Sequence, residues 1–108
     1  MSFDYRLKKE KDFNLVFNKG KRIYSENLTM IYFQSKEIKA GFAVSKKHGG
    51  SVKRNRIKRL LRESFRSFTP QIRQNFFFVF IPKVREEYSL IKFKENMKFL
   101  LKKAGATE

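Results

Sequence analysis

Between Lys53 and Arg66 the sequence sets Lys53, Arg54, Arg56, Lys58, Arg59, Arg62 and Arg66 against one acid, Glu63, a net charge of +6. At about 100° per residue, Asn55, Arg59, Arg62 and Arg66 fall together on one side of a helix, with Arg56 and Lys58 flanking them. Like charges three and four residues apart repel by roughly a few tenths of a kcal/mol per pair. Cations in a first helical turn also oppose the helix dipole. Neither feature serves stability, and bound phosphates would neutralise both. Arginine outnumbers lysine here, and its planar fork suits phosphates and base edges. The preceding Lys46-Lys47-His48-Gly49-Gly50-Ser51 puts two lysines and two glycines ahead of a helix start, a composition that suits an anion. It lacks the Walker A order of glycine, lysine and hydroxyl residue, which argues against a nucleoside triphosphatase.

Residues for hydrolytic chemistry are missing. His48 is the single histidine, lies in a glycine loop without an acidic neighbour, and reads as a solvated loop residue. No second histidine exists for paired general acid–base work. The carboxylates are scattered singly except Glu86-Glu87, adjacent in an expected turn and unlike a two-metal nuclease cluster. No residue is therefore assigned a catalytic role, and no metal-ligating residue can be named. Cysteine is absent, which removes thiol chemistry and disulfides and is compatible with a reducing compartment.

The elements that must position the cations follow from periodicity. The 108 residues fit one domain, 1–108, long enough to bury a core. Arg6 to about Lys19 reads as a helix through Leu7, Phe13, Val16 and Phe17, stopped by Gly20. Ile23 to Gln34 reads as extended and apolar on both faces, hence covered on both. Lys39 to Lys46 reads as a further strand. The basic helix has Ser51 as its expected N-cap and an apolar stripe of Ile57, Leu60, Leu61, Ser64, Phe65 and Phe68. Asn75 to Ile81 reads as a buried strand closed by Pro82. Ser89 then caps a last helix with the stripe Leu90, Phe93, Met97, Leu100, Leu101 and Ala104. The order αβββαβα implies an α+β fold, a small, mostly antiparallel four-stranded sheet packed with helices.

Residues 44–62 read V-S-K-K-H-G-G-S-V-K-R-N-R-I-K-R-L-L-R. They resemble the signature of the bacterial ribonuclease P protein family, in which Arg-Asn-Arg is followed by Lys-Arg and then by Arg. Arg54, Asn55, Arg56, Lys58, Arg59 and Arg62 stand on those positions. Arg6-Leu7, Asp12-Phe13, Phe17 and Gly20 match the family's N-terminal part, so the likeness covers nearly the whole chain. Ser51, His48 and the strand end Ile81-Pro82-Lys83-Val84-Arg85 depart from the usual pattern.

The resemblance implies an accessory subunit of a ribonucleoprotein whose RNA carries out magnesium-dependent removal of the 5′ leader from precursor tRNA. It implies that the helix bearing Arg54 to Arg62 lies in a left-handed βαβ crossover and, with Lys46 and Lys47, contacts the catalytic RNA. It further implies a cleft for the single-stranded leader, lined by Phe13 and Phe17. Periodicity alone favours core packing for those two rings. Magnesium is expected to be held mainly by RNA, with no organic cofactor.

Net charge of +16 points to a polyanionic partner whatever the family. A ribosomal protein or RNA chaperone shares this size and charge but not the Ser-Lys-Lys to Arg62 spacing. A membrane-surface role would use the basic last helix, with Lys92, Lys94, Lys98, Lys102 and Lys103, yet its apolar stripe is needed to cover the sheet. Binding of duplex DNA through the basic helix is a weaker alternative. The N-terminus, Met1 to Lys11, has no apolar stretch of the secretory kind, and Phe76 to Ile81 is too short to span a bilayer. A cytoplasmic, monomeric protein without a membrane partner is expected.

Overall fold

In the computed structural model, residues 5–108 are described. Met1 to Asp4, part of the N-terminal stretch read above as no signal peptide, lie outside the described residues. The elements are α1 (Glu10–Lys19), β1 (Lys21–Tyr24), β2 (Leu28–Gln34), β3 (Lys39–Phe42), α2 (Ser51–Phe68), β4 (Phe76–Pro82) and α3 (Leu90–Lys103). Short 3₁₀ turns occupy Lys46–His48 and Thr69–Gln71. The sheet order is β1-β2-β4-β3. β1 with β2 and β2 with β4 pair antiparallel, whereas β3 and β4 run parallel. The expected α+β order is thus present, and the sheet is mixed. A parallel pair needs a crossover, and α2, the basic helix, is that crossover.

Alternation in the strands divides the interior in two. Leu28, Met30, Ala40, Phe78 and Phe80 face α2 and α3 and pack with Ile57, Leu61, Phe65, Phe93, Met97, Leu100 and Leu101. Ile31, Phe77 and Val79 face the other way and pack with Leu7 and Val16, with Phe13 and Phe17 of α1 against them. Both faces of β2 and β4 are covered, as the continuous apolar runs require.

Several boundaries differ from those read in the sequence. α1 begins at Glu10, not Arg6, because residues 5–7 extend along the free edge of β3, where Leu7 N–H donates to the Ala40 carbonyl at 2.9 Å. The extended stretch from Ile23 breaks into β1 and β2 at Ser25, whose Oγ accepts from Leu28 N–H at 3.2 Å and donates to Leu28 O at 2.9 Å. β3 ends at Phe42 instead of Lys46, since the chain then winds into the 3₁₀ turn. Ser51 is not the N-cap of α2. Gly50 holds that position with no side-chain cap, and Ser51 is already helical. Ser89 does cap α3, accepting from Lys92 N–H at 3.1 Å.

Gly41 shows how closely α1 sits on the sheet. A Cβ built there would lie 2.4 Å from Phe13 Cζ. The missing side chain is what lets the Phe13 ring rest on β3.

Candidate RNA-binding surface

α2 buries Ile57, Leu61, Ser64 and Phe65, and Ser64 Oγ satisfies itself on the Leu60 carbonyl at 2.9 Å. Its outer side carries Asn55, Arg56, Arg59 and Arg66, all exposed. Arg54, Lys58 and Arg62 are half-buried and recur every four residues, so they form a row along one flank of the helix. The opposed sides expected from periodicity are therefore present, with Arg62 moved to the flank. No cation of α2 forms an ion pair among the described residues. The Nε atoms of Arg54 and Arg62 are buried and have no hydrogen-bond partner. A buried donor without an acceptor costs about 1–3 kcal/mol.

Lys46 and Lys47 are exposed in the turn that leads from β3 to α2. β4 runs parallel to β3 and antiparallel to β2, so this turn, the N-terminus of α2 and the residues after Pro82 all lie at one end of the sheet. His48 anchors that end. The ring is buried, with 4% of the residue exposed, and its Nδ1 bonds the Tyr88 hydroxyl. The expectation of a solvated histidine was wrong. The partner is forty positions away, and only the fold brings it close.

The Pro82 backbone lies close enough to the ring to influence its charge, and as a proline it can act only through its carbonyl. The Tyr88 hydroxyl also accepts from Arg85 N–H at 3.0 Å, which ties the ring to the loop after β4. Burial, chiefly, and Lys53 nearby hold His48 below the usual histidine range, partly offset by the nearby Pro82 carbonyl. A lowered folded pKa means that the unfolded chain binds the proton more readily. The stabilisation is complete above about pH 6.5, the ordinary value, and is lost as pH falls below it. Chemical denaturation between pH 7 and pH 5 is expected to show falling stability. A His48→Gln variant should be less stable at pH 7 but flatter across this range, and an equal slope in both would refute the assignment.

On the opposite face of the sheet, Phe13 and Phe17 are half-buried against Ile31, Phe77 and Val79, together with Phe33, Ala43 and Ile81. Both rings serve as packing and keep part of their surface open. Arg22 and Tyr24 of β1 stand opposite Ile31 and Thr29 and share this face. Lys83 follows at the end of β4, its Nζ donating to the Ser25 carbonyl at 2.7 Å. Periodicity singled out none of these three. The alternation of Arg22 and Tyr24 against Ile23 could have placed the first two on the α1 face.

Among the described residues, no group of three or more His, Asp or Glu is close enough to hold a metal ion. The donor set around both surfaces is cationic and does not suit a resident cation. No described helix is long and apolar enough to cross a membrane.

A sequence model of the family Ribonuclease P matches residues 1–105. The chain belongs to the ribonuclease P protein family. It is 40% identical over 106 residues to the ribonuclease P protein component of Caldanaerobacter subterraneus subsp. tengcongensis, covering 95% of this chain and 91% of that protein. It is 41% identical over 107 residues to that of Clostridium kluyveri, covering 94% and 95%. The Staphylococcus aureus RNase P protein structure superposes with a TM-score of 0.85 at 25% identity, covering 98% of this chain and all of that one. The Thermotoga maritima RNase P protein gives 0.80 at 30% identity, covering 91% and 96%. A ribonuclease P protein is a subunit of a ribonucleoprotein endoribonuclease with catalysis in the RNA.

Proposed function

We propose that this ribonuclease P protein docks on the catalytic RNA through α2 and the Lys46–Lys47 turn, and holds the unpaired 5′ leader of precursor tRNA on the α1 face of the sheet. The observation that carries the docking half is the concentration of cations on α2, with Arg56, Arg59 and Arg66 exposed on its outer side, Arg54, Lys58 and Arg62 half-buried on its flank, and none in an ion pair among the described residues. The leader half rests on Phe13 and Phe17, whose half-open rings offer unpaired bases a stacking surface that a duplex could not use. The chain supplies position and charge. Lysine and arginine lower repulsion between RNA strands, and the magnesium used in hydrolysis is held mainly by RNA. In this reading the protein works as a monomer in the cytoplasm, with one catalytic RNA and precursor tRNA as partners.

The test is cleavage of precursor tRNA by its cognate catalytic RNA at low magnesium, with and without the protein. Strong stimulation that depends on a leader is expected. A Phe17→Ala variant should lose affinity for leader-bearing precursor more than for mature tRNA. Equal losses would mean that the ring only packs, and no stimulation by folded protein would favour a general RNA chaperone.

A further inference from the structure

Tyr24 is 60% exposed, on a strand whose outer edge is unpaired among the described residues. Single exposed aromatics are common and need no explanation. This one has a particular setting. Through the register it stands opposite Thr29, and Thr29 stands opposite Ile81. The row Tyr24, Thr29, Ile81 lies on the α1 face and continues the apolar surface on which Phe13 and Phe17 rest. Its flanks are cationic. Arg22 precedes Tyr24 on the same face of β1, and the Lys83 ammonium is fixed on the carbonyl of Ser25, the next residue. The nearby acid is Glu26, which is exposed in the turn, with its carbonyl taken by the Arg85 guanidinium at 2.9 Å.

An open ring at the end of an apolar floor, ringed by cations, fits an unpaired nucleotide: base on ring, phosphate on ammonium or guanidinium. We infer that Tyr24, with Arg22 and Lys83, forms a further nucleotide subsite that extends the leader path from the Phe13–Phe17 floor to the β1 edge. This inference rests on the leader reading above. It is specific in the length of RNA it requires, because the subsite lies beyond the floor and only a leader long enough to cross it reaches the ring.

The test uses the reconstituted holoenzyme and precursor tRNAs whose leaders grow one nucleotide at a time, alongside mature tRNA. Wild-type affinity should rise with leader length in steps. Tyr24→Ala should match wild type for short leaders and mature tRNA and fall about five- to a hundredfold behind once the leader passes a threshold, the range for one lost stacked base. Tyr24→Phe keeps the ring and should restore the late step. Full wild-type gain in Tyr24→Ala at every length would overturn the subsite while leaving the leader reading intact. A loss of equal size for mature tRNA would overturn it too, by assigning Tyr24 to folding or to the catalytic RNA. Absence of any leader dependence in the wild type would remove the leader reading and the subsite with it.

Discussion

Replacing Arg56 and Arg59 together by alanine weakens assembly with the catalytic RNA by about 1–3 kcal/mol for each lost charged contact. Both side chains are exposed on α2 and form no ion pair among the described residues, so the fold loses little with them. Each phosphate contact also releases counterions, and the log–log salt slope of binding should shrink by about one per arginine. Titration of catalytic RNA at several salt concentrations, with a parallel denaturation curve, separates the two effects. Unchanged affinity of the double variant at moderate salt would refute α2 as the docking surface. The predicted loss is large because the cations stand in one patch, where a polyanion meets them together.

Phe80→Ala is expected to cost about 3–5 kcal/mol of stability. The side chain is fully buried, and its ring packs on Phe42 and Phe78 at 6.0 Å each and on Phe65 at 5.8 Å. Removing it opens a cavity where β3, β4 and α2 meet. Typical domains have only about 5–15 kcal/mol in hand, so the variant should be partly unfolded under mild denaturant. Catalytic RNA that binds the native state more tightly than the unfolded chain should raise its unfolding midpoint as the RNA concentration rises. Urea melts with and without RNA measure both. A midpoint close to wild type would mean that the aromatic ladder of β4 is not what holds the sheet to α2.

Much of this was legible in the chain. The 3.6-residue stripe from Ile57 to Phe68 gave the orientation of α2, and its polar complement gave the cation patch, because one periodicity sets both. Ser89 was readable as a cap because Oγ and the Lys92 N–H need only local geometry. Ser51 failed because Gly50 can also supply the extended conformation that a cap needs, leaving the serine inside the helix. The break between β1 and β2 was missed because an apolar run hides a turn held by one hydroxyl, that of Ser25. His48 was misjudged because burial by Tyr88 and Pro82 is a tertiary fact. The orphaned Nε atoms of Arg54 and Arg62 were equally invisible, since helical angle alone does not tell which part of a guanidinium is covered. For Phe13 and Phe17, periodicity favoured the core and only the family likeness suggested a contact; the half-open rings satisfy the first without excluding the second.

β4 supports both proposed RNA-facing surfaces at once. Phe78 and Phe80 back the helix that docks, and Phe77 and Val79 back the floor on the other side. A close-packed interior resists compression, so the separation between the two surfaces is fixed by side-chain volume and not by a hinge. The chain then acts as a gauge block. On the proposed docking, with α2 seated on the catalytic RNA, the thickness of a single sheet would set how far from that seat a leader nucleotide lies.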